Sequence, residues 1–342
     1  MLITGGAGFI GINAAAHFLK RGWRVTILDN LSRKGAGLNL LWLSGEFRGK
    51  ASFIKADIRY DQPVLDRAVA RTDAVLHLAA QVAVTTSITD PRTDFEINAL
   101  GTLNVLEAVR KAKTPPIFLY SSTNKVYGDL EALKIHEKKT RYVLKDFPDG
   151  VSERQQLDFH SPYGCSKGAA DKYVRDYARI YGIPTVVFRQ SCVYGPNQFG
   201  VEDQGWLAWF AIASLLKKPI TLYGNGKQVR DVLHVSDLIA LYERAIDRIK
   251  QARGNAFNVG GGASNTFSLL EFFDTLETAH GLLVPHTKAS IRPGDQKVFI
   301  SDNTKVASTL GWKPQVNIRE GVVALTSWVK NNLSKIKSVY LR

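Results

Sequence analysis

A chain of 342 residues with 45% apolar side chains can bury the core of one large α/β domain and a smaller one beside it. No run approaches a membrane span, the N-terminus lacks the order of a signal peptide, and two cysteines, Cys165 and Cys192, exclude a disulfide framework. A cytoplasmic protein with reduced thiols and no metal site is expected, and its formal charge of +14, spread along the whole chain, suits an anionic nucleotide or a solvated surface better than nucleic acid.

The run from Leu2 to Gly11 reads as a short apolar strand, a glycine turn and a helix that begins near Phe9 and continues through Leu19. Met1 stands so close to the turn that either the first strand is very short or the true start lies upstream. Gly5 lets the chain turn sharply, Gly8 lets backbone approach a pyrophosphate, and Gly11 lets the helix pack on its strand; unpaired N–H groups at the helix start then face the phosphates. A second strand, Val25 to Leu28, ends at Asp29, whose carboxylate would accept hydrogen bonds from an adenosine ribose and repel a 2′-phosphate. NAD is therefore favoured over NADP, with Arg33 and Lys34 standing nearby.

After a polar, glycine-bearing stretch, a third strand from Ala51 to Ala56 ends at Asp57 and Ile58. Asp57 suits either an adenine amino group or the cap of a helix running from Pro63 to Val69. The strand Ala74 to Leu78 is closed by Ala79, Ala80 and Gln81, small enough at first to admit a flat ligand. His77, inside that apolar run, reads as a core histidine. Leu100, Leu103, Leu106 and Val109 recur at helical spacing between Asn98 and Lys111, and the strand Ile117 to Tyr120 ends in Ser121, Ser122 and Thr123. Hydroxyls there either meet a ligand at the carboxyl edge of a parallel sheet or satisfy their own loop.

Residues 129 to 160 form a charged connection without clear periodicity, followed by a helix in which Tyr163 and Lys167 stand four apart, on one face. An ammonium beside a phenol, with a nicotinamide cation beside both, favours the phenolate and makes the tyrosine a general base. Beyond 190, Trp206, Leu207, Trp209, Phe210 and Ile212 make an apolar helix that covers a pocket or packs a second domain. The stretch from Arg230 to Val235 reads as returning towards the sheet, and Phe257 to Gly260 as a further strand. The expected architecture is a doubly wound parallel sheet of Rossmann type, residues 1–190 and 227–262, with a smaller discontinuous substrate domain, 191–226 and 263–342.

These segments resemble the extended short-chain dehydrogenase/reductase family, which acts on nucleotide-linked sugars, and the resemblance spans nearly the whole chain. It continues through Asn98 to Asn104, Tyr194-Gly195-Pro196, Gly224 to Asp231 and Arg292-Pro293-Gly294-Asp295. Ser121 to Leu130, Leu157 to Lys167, Asp203 to Trp206 and Gly254 to Gly261 look specifically like the CDP-tyvelose (CDP-paratose) 2-epimerases within it. The resemblance implies tightly held NAD, with Gly5, Gly8, Phe9, Ile10, Gly11, Asp29, Asn30, Asp57, Ile58, Leu78, Ala79, Ala80, Gln81, Asn98 and Ser121 at the cofactor. It further implies Tyr163 as base, Lys167 supporting it and holding the nicotinamide ribose, and Thr123 hydrogen-bonded to the sugar hydroxyl being oxidised. Gln204, Tyr223, Arg230, Arg292 and Asp295 complete the substrate side, the two arginines suiting diphosphate and nucleotide ribose.

The implied reaction is inversion at carbon 2 of a nucleotide sugar, a CDP-sugar being favoured, in a homodimer or homotetramer paired through helices 98–111 and 164–181. The rivals are a 4-epimerase, a 4,6-dehydratase, or a non-catalytic NAD-sensing or nucleic-acid-binding protein. A dehydratase usually shows an acidic pair where Asn124 and Lys125 stand here. Cys192 occupies a place where many relatives carry asparagine, so a phosphate contact from that loop is not expected.

Overall fold

In a computed structural model, every residue is described except Pro293 and Arg342, which belong to stretches noted above and lie outside the described residues, and the side chains of Ala279 and His280. Seven strands form one parallel sheet: β1 (Leu2–Thr4), β2 (Val25–Asp29), β3 (Ala51–Lys55), β4 (Ala74–His77), β5 (Ile117–Thr123), β6 (Thr185–Gln190) and β7 (Ala256–Val259). Their lateral order is β7-β6-β5-β4-β1-β2-β3. The chain builds outward from β1 to β3 and then returns to place β4 on the other side of β1, so the strand order reverses there and opens a crevice above the carboxyl ends. The doubly wound class expected from the alternation is the one observed.

The glycine turn follows from sterics. Gly5 has φ +66°, and a Cβ there would stand 2.6 Å from the Ala79 backbone nitrogen. A Cβ on Gly11 would meet the Gly5 carbonyl oxygen at 2.6 Å, so only glycine lets the helix Phe9–Lys20 lie against β1. His77 is buried, hydrogen-bonded to Thr4 (2.7 Å) and Thr102 (3.0 Å), and burial, then the Lys167 charge, holds its pKa down at about 3. It is a neutral core residue that ties β1 and β4 to the helix Gly101–Lys111.

Several elements lie where the sequence promised none, three of them in the first half or its sheet. The stretch after Asp29 contains the helix Ala36–Glu46, and β6 is buried along its whole length between β5 and β7. The connection 129–160 carries a small hairpin, Ile135–Glu137 with Tyr142–Leu144.

The second domain is built on the helix Trp206–Leu215, apolar on every side and buried among Phe272, Phe273, Val322 and Leu325. Val229–His234, expected to return towards the parallel sheet, instead joins a small sheet. It pairs with Cys192–Tyr194, Thr266–Ser268 and Val298–Phe299. The strand's own Leu233 reaches the large core, and the next helix, Val235–Asp247, joins it through Leu238, Leu241 and Tyr242. Conversely, Val306, Leu310 and Trp312, expected with the second domain, pack into the core under the parallel sheet, because the helix Thr304–Leu310 lies alongside β7.

Candidate active site

A cleft of about 500 Å³ follows the carboxyl edge of the sheet and continues between the two domains. Every residue assigned above to cofactor or substrate borders it except Gln81 and Asn98. Those two stand behind the wall. The Asn98 carboxamide accepts the Gln81 backbone N–H (3.0 Å) and donates to its carbonyl (3.0 Å), while both side chains donate to Asp94. Ser166, one turn after Tyr163, donates to Asp94 as well, so this buried network joins the end of β4 to the tyrosine's helix. It positions the site without lining it.

At the dinucleotide end, Gly8 begins the first helix with no side-chain cap and no acid in the first turn among the described residues. The first-turn N–H groups and the positive end of the helix dipole therefore face the cleft. A Cβ on Gly8 would have only the Gly5 carbonyl within 4 Å, at 3.1 Å, so the space in front of the helix start is open to a phosphate. Asp29 accepts backbone N–H groups from Ala7 (3.0 Å) and Leu31 (2.7 Å), and burial raises its pKa against those hydrogen bonds. Each oxygen retains a lone pair for a ribose hydroxyl. The residues present fit NAD. Asp57 does not cap the helix Gln62–Val69, which begins after Asp61. Its carboxylate is instead held by Arg59 and Asn30, whose hydrogen bonds outweigh burial and bring its pKa down to about 2.

At the centre, β5 delivers Thr123 and the helix Ser161–Tyr181 delivers Tyr163 and Lys167. Thr123 and Tyr163 both border the cleft, and the Thr123 hydroxyl acts to lower the pKa of the Tyr163 phenol. Lys167 donates to the Ser121 carbonyl at 2.6 Å and lies over the Tyr120 ring. The protein alone does not favour the phenolate. Burial pushes the Tyr163 pKa up to about 12 against the effect of Thr123, and burial pulls Lys167 down to about 7. The expected activation of the tyrosine therefore has to come from positive charge added to the cleft. Ser122 faces the other way, bonded to Asp171 inside the protein.

At the substrate end, each arginine holds a carboxylate: Arg230 meets Asp295 at 2.7 Å, and Arg292 meets Asp203 at 3.2 Å while lying over the Tyr223 ring at 3.7 Å. Gln204 is tied to Arg33 across the cleft (2.7 Å), which turns that guanidinium towards the second domain. Glu202 and Asp94 escaped the sequence reading, and Asp203 and Arg33 were noted there without these partners, because the partners are distant in the chain. Cys192 accepts from the Trp206 indole, and burial raises its thiol pKa, which makes it a poor nucleophile.

The fold and the site define an NAD-dependent enzyme of nucleotide sugars, built on the extended short-chain dehydrogenase/reductase plan. Within that class, the chain belongs to the GDP-mannose 4,6-dehydratase family, whose model matches residues 2–325. It is 50% identical over 338 residues to the CDP-paratose 2-epimerase of Salmonella typhi, covering 97% of this chain and 99% of that one. Among solved structures, the dTDP-glucose 4,6-dehydratase of Streptomyces venezuelae, with NAD bound, superposes with a TM-score of 0.84 at 26% identity over 99% of both chains. The UDP-glucuronic acid 4-epimerase of Bacillus cereus, in complex with UDP-glucuronic acid and NAD, gives 0.82 at 29% identity, covering 96% of this chain and 98% of that one. NAD is the cofactor.

Proposed function

We propose that this protein inverts carbon 2 of the sugar in a CDP-linked hexose, dideoxy sugars included, acting in the cytoplasm. The observation that carries the reading is the 50% identity, end to end, with a CDP-paratose 2-epimerase, set beside a Thr123–Tyr163 pair at the wall of the cleft. Tyr163 takes the proton of the 2-hydroxyl, and Thr123 hydrogen-bonds that oxygen before and after the proton moves. Lys167 adds positive charge beneath the pair and opposes the effect of burial on the phenol. NAD, when bound, would supply the acceptor and source of the hydride exchanged at carbon 2. The 2-keto sugar turns its other face to the site between the two half-reactions, and Tyr163 returns the proton with the configuration inverted. The chain's own contribution is to orient the reacting carbon and to exclude water while the ketone exists.

The test is the label on carbon 2. A CDP-sugar deuterated there, incubated without added NAD, is expected to retain its deuterium in the 2-epimer. Deuterium lost to solvent overturns the hydride route, and conversion of UDP- or dTDP-sugars at carbon 4 instead overturns the choice of substrate and carbon.

We also infer that two copies pair through the helices at 91–111 and 161–181. Phe95, Leu100, Tyr173, Ile180 and Tyr181 leave large apolar side chains exposed there. A sedimentation mass of two or four chains supports this, and the mass of one chain overturns it.

A further inference from the structure

Lys125 was singled out in the sequence only as a residue that a dehydratase would replace by an acid. It sits on the single turn Asn124–Tyr127 directly after β5, two residues beyond Thr123, and its side chain forms part of the cleft wall. The lysine side chain is only 18% exposed; its ammonium donates to the Gly294 carbonyl at 2.9 Å and stands 3.9 Å from Asp295. Asp295 is already engaged by Arg230 at 2.7 Å. The next carboxylate, Asp129, is turned to His160 at 2.9 Å. Among the described residues, two cations thus share one carboxylate in a partly enclosed cleft. Burial and then Arg230 hold the lysine pKa down at about 8, the cost of packing like charges together. Such a surplus of positive charge is suited to a bound anion.

Holding the neighbouring segment in place does not explain the lysine. Asn124 donates to Gln296 at 2.8 Å and Gln296 donates to the Gly128 carbonyl at 2.6 Å, so a pair of buried amides already fastens residues 294–296 to the turn after β5.

We propose that Lys125 binds the phosphate bonded to the sugar's anomeric carbon, and so brings carbon 2 to Thr123 and Tyr163. This rests on the reading above, because carbon 2 is bonded directly to the anomeric carbon whereas carbon 4 lies across the ring. A reaction at carbon 2 therefore brings the sugar-linked phosphate close to the catalytic hydroxyls, and the cation that meets it must be near them too. Arg230 shares that phosphate or takes the next one, while Arg292, stacked on Tyr223, stands at the nucleoside end. The lysine is thus a substrate-binding residue for the diphosphate, set beside the catalytic pair.

The test compares Lys125→Met and Lys125→Arg with the unaltered protein. CDP and CMP binding are measured by calorimetry, with UDP and UMP, and dTDP and dTMP, as further pairs, and bound NAD is measured in each preparation. In Lys125→Met, affinity for the diphosphate is expected to fall about 10- to 100-fold, the range for losing a hydrogen bond to a charged group, while the monophosphate changes less than about threefold. Lys125→Arg should recover most of the loss with NAD content unchanged in all three. Equal losses for diphosphate and monophosphate, or no loss for either, overturn the proposal and leave the lysine a structural role. If Lys125→Met does not fold, Lys125→Gln takes its place under the same two outcomes: a selective loss of diphosphate affinity supports the proposal, and equal losses or none overturn it. Should the unaltered protein bind none of the nucleoside diphosphates, it is the functional reading that fails, a result distinct from any change in ratio.

Discussion

Tyr163→Phe is expected to reduce turnover by about three orders of magnitude, the middle of the range for removing a positioned acid–base group, while affinity for the nucleotide sugar stays within about threefold. The phenol borders the cleft beside Thr123, whereas the residues proposed to hold the nucleotide, Tyr223, Arg230 and Arg292, lie on other elements. Removing one oxygen leaves the ring to pack as before; the side chain is 8% exposed, and its backbone N–H keeps its hydrogen bond to Ser87. Bound NAD should be unchanged, which separates loss of the base from loss of the cofactor. The lysine carries a distinct expectation. Because burial brings Lys167 down to about 7, its charge is present below that pH and is lost above it in the protein alone. Steady-state rates of Tyr163→Phe on the purified CDP-sugar would decide the assignment, and near-normal turnover would remove Tyr163 from the mechanism.

The parts legible in the sequence were those in which a local rule admits one solution. Gly5 and Gly11 each meet backbone within 2.6 Å of where a Cβ would sit, so the strand, turn and helix could be read from the spacing of glycines alone. The four-residue interval of Tyr163 and Lys167 likewise needs only helix geometry. Strand β6 was missed because it is covered on both faces, so its residues show no alternation of apolar and polar. Val229–His234 was placed with the wrong sheet since an apolar strand does not announce its partner, and its pairing with three strands of the second domain is a long-range fact. The same limit applies in the site. Gln81 and Asn98 lie close in sequence to residues that do line the cleft, yet a half-turn of side-chain direction sends them into the Asp94 network. The ion pair of Arg292 with Asp203, and the hydrogen bond that Arg33 donates to Gln204, join segments that no local pattern connects.

The support under Thr123 yields the second large effect, Asp171→Ala, expected to destabilise the protein by about 3–5 kcal/mol. Asp171 is fully buried in the helix Ser161–Tyr181 and accepts two hydrogen bonds from Arg189 of β6, at 2.9 and 3.0 Å, and one from Ser122 of β5 at 2.9 Å. Arg189 also donates to the Tyr127 hydroxyl at 3.0 Å, which donates in turn to Asn258 of β7 at 2.7 Å. Burial by itself would lower the Arg189 pKa, but the Asp171 hydrogen bonds and charge outweigh it and raise the pKa, so the guanidinium stays charged. Removing the carboxylate strands that charge among packed strands, and the penalty is the desolvation of an unmatched ion. The double substitution Asp171→Ala with Arg189→Met removes both charges and is expected to recover much of the loss, since a buried pair replaced by apolar groups is often close to neutral. Urea unfolding of both variants measures the difference, and a loss below about 1 kcal/mol for Asp171→Ala would show that water or a neighbouring group solvates Arg189 as well as the carboxylate does. Because Ser122 immediately precedes Thr123, the single variant should also blunt turnover in whatever fraction remains folded, through a strand end no longer anchored from below.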